Sequence, residues 1–147
     1  MNEVKDSRQA RVRIGYDGRV HKNYLGAMAK ERYANEKRVL EYLAEQGCDF
    51  VPKVLDCEDS ELYLVTTNCG KVVERLSERK VQQLLEELEE YGVRHGDRFA
   101  RNITYSPQLG RFCIIDFEFA EILATGEGLS LDEVQAFRRK QQREQEI

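Results

Sequence analysis

The chain has 147 residues, of which 41% are apolar and 34% are charged, and its 23 Lys and Arg are balanced by 27 Asp and Glu. This balance argues against a wholly disordered chain and against a general nucleic-acid binder, whose surface would be strongly basic. No apolar run approaches the ~18 residues that cross a bilayer, and the first residues contain no apolar signal core. We therefore expect one cytoplasmic domain without nucleic-acid or membrane partners.

The cysteines are not spaced as metal ligands. None of the four forms a CxxC or CxxH pair, whereas a zinc site normally contains at least one closely spaced pair of ligands. We therefore interpret them as reduced thiols that behave mostly as small buried hydrophobic residues, and we expect no structural metal. They are Cys48, Cys57, Cys69 and Cys113.

The N-terminal part of the chain predicts a β-hairpin. Polar and apolar residues alternate over residues 11–14, and an extended pattern resumes over residues 20–25. Between them, Asp17-Gly18 suits a tight turn because glycine tolerates positive φ. We interpret Gly15 and Gly18 as turn residues, and we predict that this one hairpin opens the protein.

A helix and two extended segments follow the hairpin. Apolar residues at three- and four-residue spacing, with Gly47 as a stop, predict a helix over residues 27–46. Residues 50–55 predict a short extended segment, residues 56–60 a turn, and residues 61–67 a strong strand.

The second half of the chain predicts a long helix and another hairpin. Ser77 is placed to cap a helix that runs to Tyr91, because the apolar residues between them repeat at helical spacing. Strands over residues 102–105 and 111–115 flank a turn at 106–110.

A last helix and the fold class complete the prediction. The capping box formed by Ser130 and Glu133 predicts a helix start, and the residues after Arg138 predict a solvated polar tail. Helices and antiparallel strand pairs are segregated along the chain, so the predicted fold class is α+β.

Three oxygen-bearing side chains are predicted to cluster around the second hairpin. Arg-His-Gly-Asp-Arg-Phe-Ala-Arg-Asn occupies residues 94–102, and Cys-Ile-Ile-Asp-Phe-Glu occupies residues 113–118. Because paired strands lie ~5 Å apart, Asn102 and Asp116 would face a common point, with Asp97 close by. Such hard oxygen ligands suit magnesium held against a nucleotide's phosphates, and an additional carboxylate can accept a hydroxyl proton.

This order of motifs resembles the protein-kinase-like fold. The His-Gly-Asp form and Ile-Asp-Phe-Glu-Phe-Ala are most similar to aminoglycoside phosphotransferases and choline/ethanolamine kinases, with RIO-type and lipopolysaccharide kinases as nearby relatives. The resemblance extends over about residues 10–122. It implies that the chain is a single kinase-like domain with a reduced N-lobe of hairpin, sheet and helix at about 10–70. A minimal, truncated helical C-lobe would occupy 71–137, followed by the polar tail at 138–147.

The resemblance implies a role for each motif residue. Asp97 would orient and deprotonate an acceptor hydroxyl, while Asn102 and Asp116 would hold magnesium. Lys22 would contact the α- and β-phosphates of ATP and would be held in place by Glu36, fourteen residues later. Catalysis would then rest on positioning and charge neutralisation.

The resemblance also implies a hinge and a brace. Residues 66–70 match the hinge whose backbone groups hydrogen-bond adenine, so Thr67 and Cys69 are expected to contact the nucleotide. His95 would brace the catalytic loop through hydrogen bonds. Arg98 and Arg101 flank Asp97, where they would either meet a γ-phosphate or a phosphorylated ligand or act as surface charges.

Two functions are compatible with these residues. The matched set favours an ATP- and magnesium-dependent phosphotransferase that acts on the hydroxyl of a protein Ser/Thr or of a small molecule. The lack of a GxGxxG loop and of an Ala-Pro-Glu motif in the sequence favours a non-catalytic kinase-like module that binds a partner protein and a nucleotide. A homodimer or a partner protein could cover the surfaces that so reduced a fold leaves open.

Overall fold

The computed structural model describes residues 2–6, 9–97 and 100–145, with side chains described for residues 9–97 and 100–144. Within these residues, α-helices combine with antiparallel sheets, which confirms the predicted α+β class. The helices are α1 (Ala29–Glu45), α2 (Glu78–Glu90) and α3 (Leu131–Gln145). The strands are β1 (Asn2–Asp6), β2 (Ala10–Ile14), β3 (Val20–Tyr24), β4 (Val54–Glu58), β5 (Tyr63–Thr66), β6 (Lys71–Val72), β7 (Val93–Arg94), β8 (Ile103–Ser106), β9 (Arg111–Ile114) and β10 (Glu121–Ile122).

The first sheet contains five strands in the order β1-β2-β3-β5-β4, and neighbouring strands are antiparallel. The prediction that one hairpin opens the protein is wrong, because β1 precedes that hairpin and pairs with β2. The sequence of β1, Asn-Glu-Val-Lys-Asp, is too polar to be recognised as a strand, and an edge position tolerates such a composition. As a result, Lys22 lies on the middle strand of this sheet.

Strand β4 forms the opposite edge of the sheet and is displaced from its predicted position. The extended segment predicted at 50–55 and the turn predicted at 56–60 are replaced by a strand at Val54–Glu58 and a 3-10 turn at Asp59–Glu61. Asp56 and Glu58 are exposed, so their charges remain solvated while the backbone pairs with β5. Because acidic residues have low strand propensity, the sequence did not predict this strand at its true position.

The helices predicted at 27–46 and after Ser77 are both present. Helix α1 ends just before Gly47, whose φ of +79° lies in the left-handed region that favours glycine. At the start of α2, the Ser77 hydroxyl accepts a hydrogen bond of 3.1 Å from the Lys80 amide. The predicted cap is thus confirmed.

Helix α3 begins at its predicted cap but is longer than expected. The Ser130 hydroxyl accepts a 3.1 Å hydrogen bond from the Glu133 amide. The helix continues to Gln145, so the segment predicted as a polar tail is helical up to that residue. The side chains of residues 139–144 are exposed, which agrees with their predicted solvation.

A second sheet and a short strand pair lie beyond β5. Strands β6, β8 and β9 form an antiparallel sheet, and the predicted β8–β9 hairpin is confirmed, with Ile103 opposite Ile114. Strand β10 pairs with β7. Strands β6, β7 and β10 were not predicted because two residues are too few to show a strand period.

One hydrophobic core joins the two sheets and the first two helices. The apolar stripe of α2 is buried as predicted, and all four cysteines are free thiols, of which three are buried. None of the helices in the described part of the chain is long and apolar enough to span a membrane. Fully buried members of the core include Val39, Leu40, Leu43, Phe50, Leu64, Leu88, Val93, Ile103, Ile114 and Phe117.

We predict that Leu88→Ala lowers the free energy of unfolding by about 2–5 kcal/mol, since truncating a buried leucine loses apolar contacts and leaves a cavity. Leu88 is 0% exposed, whereas Leu109 is 51% exposed and provides the matched control. Urea unfolding followed by circular dichroism measures both. Equal destabilisation by Leu88→Ala and Leu109→Ala would contradict this placement of the core.

Candidate active site

A buried ion pair joins β3 to α1. The Lys22 Nζ atom lies 2.9 Å from the Glu36 Oε1 atom, and both residues are buried. Strand β3 holds Lys22 between Val12 and Leu64, its cross-strand neighbours on β2 and β5. Glu36 lies among the buried residues of α1. The structure therefore brings together the lysine and the glutamate that the family resemblance paired.

Glu36 receives hydrogen bonds from two further donors. The Tyr24 hydroxyl donates to its Oε1 atom, and the Phe117 amide donates to its Oε2 atom at 2.6 Å. A buried carboxylate is tolerated only when it is paired and hydrogen-bonded, and this one has a partner on both oxygens. These contacts tie α1 to the segment that follows β9.

Glu118 provides a second carboxylate that pairs with the Lys22 ammonium. The sequence alone predicted no partner for Glu118. Its Oε1 atom lies 2.7 Å from Lys22 Nζ, and its Oε2 atom lies 3.3 Å from Arg32 Nη1. The Asn35 side-chain amide donates to the backbone carbonyls of Glu118 and Ala120, at 2.9 Å each. The segment after β9 is therefore held against α1 by hydrogen bonds from Asn35 as well as by the ion pair with Arg32.

The sequence contained one signal for this network. Arg32, Asn35 and Glu36 occupy the same face of α1 as the buried Val39. Three polar residues on a face that should be apolar indicate buried partners, because an unpaired polar group there would be costly. Which residues supply those partners depends on the chain path after β9, and spacing alone does not reveal it.

The ionisation of this network follows from its charges. Burial raises the pKa of the Glu118 carboxyl, but the Lys22 and Arg32 cations lower it by a larger amount. The net result is a pKa below the ordinary value. Burial lowers the pKa of Lys22, but Glu118 and Glu36 more than offset this, so that pKa lies well above its ordinary value. Lys22 and Glu118 are both charged at neutral pH.

The loop containing Asp97 is braced by His95. The Asp97 amide donates to His95 Nδ1 at 3.2 Å, and His95 Nε2 donates to the Ile115 carbonyl at 2.8 Å. Gly96 has a φ of +84°, and a Cβ atom there would lie 2.1 Å from the Phe119 carbonyl oxygen. The backbone of this loop therefore packs directly against the backbone at Phe119, in the segment after β9 that also contains Asp116.

Asn102 and Asp116 lie at facing ends of the β8–β9 hairpin. Asn102 Nδ2 donates to the Asp97 carbonyl at 2.9 Å, and the Ile115 amide donates to the Asn102 carbonyl at 2.8 Å. Asp116 has a φ of +63°, and its carboxylate lies 3.6 Å from the Lys22 ammonium. The hairpin therefore places Asn102 against the backbone of Asp97 and Asp116 beside Lys22.

The Asp97 carboxylate is held by Arg101. The Arg101 Nη2 atom lies 3.1 Å from Oδ2 and 3.3 Å from Oδ1 of Asp97. Asp97 is buried, while Arg101 is exposed, so the guanidinium covers the carboxylate from the solvent side. Arg98, which sequence reasoning considered together with Arg101, lies outside the described residues.

An apolar cavity of about 430 Å³ lies between the two sheets. Its charged lining residues are Lys22, Glu36, Asp116 and Lys71. A mostly apolar chamber with a few convergent polar groups is typical of a small-molecule site. Its apolar walls include Val12, Ile14, Val20, Leu40, Leu64 and Ile115.

The segment from Thr67 to Gly70 forms one wall of this cavity. The Thr67 carbonyl accepts from the Thr66 hydroxyl at 3.1 Å, and the Cys69 carbonyl accepts from the Thr104 hydroxyl at 2.6 Å. Within the described residues, the Cys69 amide donates to no acceptor. This wall therefore offers the Cys69 amide as a backbone donor and the Thr67 carbonyl as an acceptor with a remaining lone pair.

A more polar cavity of about 300 Å³ shares Val12, Lys22 and Asp116 with the apolar one. Asp97 and Asn102 line only this second cavity, together with residues of α3. The apolar chamber and the candidate catalytic carboxylate are thus connected through Lys22 and Asp116. A larger groove of about 550 Å³ on α1 shares no lining residue with either cavity.

The donor chemistry at Asn102 and Asp116 fits magnesium. The Asn102 amide nitrogen is committed to the Asp97 carbonyl, which leaves its oxygen as the ligand, and the Asp116 carboxylate is partly exposed. Magnesium usually takes one or two protein oxygens and completes its shell with water and phosphate. No group of three or more His, Cys, Asp or Glu side chains suited to a metal ion occurs among the described residues.

Comparison of the chain with protein-family models finds no model that matches it, and a search of curated proteins finds no significant match. The assignment of a function therefore depends on the geometry of the site and on the motif resemblance.

We predict that Glu118→Gln lowers the free energy of unfolding at pH 7 by about 1–3 kcal/mol, because a buried charged hydrogen-bond acceptor is lost. A carboxyl with a lowered native pKa stabilises the fold above its unfolded pKa and loses that effect as the pH falls through the native pKa. The difference between variant and wild type should therefore shrink below about pH 4.5, the ordinary value.

Urea unfolding between pH 7 and pH 3 measures this difference. Glu74 is exposed, so Glu74→Gln serves as the matched control and should show little change at any pH. A Glu118→Gln difference that stays constant over this pH range would contradict the buried network.

Proposed function

We propose that the protein has a kinase-like fold and transfers the γ-phosphoryl group of ATP to a hydroxyl acceptor, with magnesium as its cofactor. The observation that carries the proposal is the convergence of Lys22, Glu36 and Asp116 where the apolar cavity adjoins the polar cavity that the buried Asp97 lines. The motif resemblance supports the same reaction. Phosphoryl transfer asks a protein mainly for positioning and charge neutralisation, which suits this arrangement.

The apolar cavity is proposed to bind the nucleotide. The adenine base would lie between the apolar walls, with its edge toward the Cys69 amide and the Thr67 carbonyl. Lys22, held by Glu36, would contact the α- and β-phosphates at the polar end. Asn102 and Asp116 would hold magnesium, which neutralises charge on the phosphates when bound.

Asp97 is proposed to orient the acceptor hydroxyl and to accept its proton. Its carboxylate is paired with Arg101, so an acceptor must share or displace that guanidinium. The His95 brace and the Asn102 side chain hold the backbone of Asp97. The acceptor would approach from the second cavity, which Asp97 lines.

A second candidate function is a non-catalytic kinase-like module that binds a nucleotide or a partner protein. This function is favoured because the proposed phosphate ligand and the proposed base both already have ion-pair partners. Lys22 is paired with Glu118 as well as Glu36, and Asp97 is paired with Arg101. Nucleotide phosphates would compete with Glu118 for the ammonium. The two functions differ in whether phosphate is transferred.

We predict that wild-type protein binds Mg-ATP with a micromolar-to-millimolar Kd and that Asp116→Ala weakens this binding at least tenfold, since a magnesium ligand is lost. Isothermal titration calorimetry measures both. Asp56 lies exposed on the edge strand β4, so Asp56→Ala is the matched control and should bind like wild type. Wild-type protein that binds no Mg-ATP at several millimolar would overturn the nucleotide site.

We predict that Asp97→Asn lowers phosphate transfer about 100-fold or more while Mg-ATP binding is retained, because a general base typically contributes about 10²–10⁴-fold. Release of γ-phosphate to water, followed with radiolabelled ATP, measures transfer without knowledge of the natural acceptor. Asp56→Asn is the control. Unchanged transfer in Asp97→Asn would contradict the role of this residue, and wild-type binding without transfer would favour the non-catalytic module.

A further inference from the structure

Helix α3 forms one side of the cavity that contains Asp97. Leu131, Gln135 and Arg138 line this cavity, and their spacing of four and three residues places them on one face of the helix. Val134 is fully buried, and Leu131 and Arg138 are half-buried, so this face of α3 lies against the rest of the protein. None of the α3 residues lines the apolar cavity assigned to the nucleotide.

The carboxylates of this cavity already have cationic partners. Glu118 is paired with Lys22 and Arg32, at 2.7 and 3.3 Å. Asp97 is paired with Arg101, and Asp116 lies 3.6 Å from Lys22 and is the candidate metal ligand. Among the side chains that the structure describes, an additional cation in this cavity therefore has no unpaired carboxylate to pair with.

Arg138 is that additional cation. Its Nη2 atom is buried without a hydrogen-bond partner, one of two such side-chain atoms among the described residues. The other, Arg13 Nε, does not line the cavity. Burial and the neighbouring Arg32 guanidinium lower the pKa of Arg138, and Glu118 only partly offsets them. Arg138 as a whole is half-buried and lines the cavity, so an anion that enters the cavity would pair with its guanidinium without displacing it from a protein carboxylate.

We propose that Arg138, together with Gln135, forms an anion subsite for the acceptor, so that the substrate is a hydroxyl compound that also carries a phosphate or carboxylate group. This inference rests on the proposed phosphotransfer function. Arg138 shares its cavity with Asp97, the residue assigned to the acceptor hydroxyl. The nucleotide phosphates are assigned instead to Lys22 and to magnesium at Asn102 and Asp116.

The γ-phosphate of ATP is the other possible source of an anion at Arg138. A contact with the γ-phosphate would make Arg138 important for Mg-AMPPNP, a non-hydrolysable ATP analogue, but not for Mg-ADP. A contact with the acceptor leaves the affinity for both nucleotides unchanged. Comparison of these two nucleotides therefore separates the two sources.

The test uses full-length protein saturated with Mg-AMPPNP and titrated with three probes in a calorimeter. Glycerol 3-phosphate and glycerate carry a hydroxyl and an anionic group, and glycerol is the neutral match. We expect the wild type to bind at least one anionic probe and to bind glycerol at least tenfold more weakly. We expect Arg138→Met to lose at least tenfold in affinity for the anionic probe and Arg138→Lys to retain an intermediate affinity.

Two controls separate binding from folding. Arg139 is the exposed neighbour, so Arg139→Met should bind every probe like wild type. Arg138→Met removes a buried donor that has no partner, so its unfolding midpoint should not fall. A lower midpoint would assign Arg138 a structural role and overturn the proposal.

The remaining outcomes also decide the matter. Equal binding of an anionic probe by wild type and Arg138→Met, or no binding of either anionic probe, overturns the subsite. Weaker binding of Mg-AMPPNP but not of Mg-ADP by Arg138→Met assigns the residue to the γ-phosphate and also overturns it. If wild type binds no nucleotide, the phosphotransfer function fails, and Arg138-dependent binding of glycerol 3-phosphate to the nucleotide-free protein still supports the anion subsite.

Discussion

The burial of the Lys22 ammonium is the constraint on which the rest of the structure depends. A charged group removed from water must be matched by opposite charge and by hydrogen bonds, or the fold loses more than it gains. Here β3 supplies the ammonium, α1 supplies Glu36, and the segment after β9 supplies Glu118 and Asp116. Distant parts of the chain are therefore held in one arrangement by a shared electrostatic requirement.

The same requirement positions the loop that precedes β8. The segment after β9 is fastened to α1, and the loop is bonded in turn to that segment through His95 and the Ile115 carbonyl. Gly96 allows the close backbone approach that this contact needs. The location of the Asp97 carboxylate thus follows from a continuous series of contacts that starts at Lys22.

Sequence reasoning predicted those parts of the molecule whose pattern is local. The apolar stripe of α2 and the Ser77 and Ser130 caps are written in consecutive residues, and the structure confirms them. The polar edge strands β1 and β4 were missed or displaced, because their stability comes from pairing rather than from composition. The family resemblance placed Lys22 near Glu36. The partners of Glu118, by contrast, depend on packing between α1 and a distant segment, since Arg32 and Glu118 are 86 residues apart in the chain.

The bond from the Thr104 hydroxyl to the Cys69 carbonyl limits how the cavity can change its shape. It ties the segment that connects the two sheets to β8, and β6, which follows directly, pairs with β8 as well. Gly70 packs so tightly that a Cβ atom there would lie 1.9 Å from the Tyr105 carbonyl oxygen. The connecting segment from Cys69 onward thus belongs mechanically to the second sheet. Thr67, by contrast, is bonded to Lys53 next to β4. A relative rotation of the two sheets would therefore bend the chain at Asn68, and the cavity wall from Cys69 onward would move with the β8–β9 hairpin rather than with the sheet that carries Lys22.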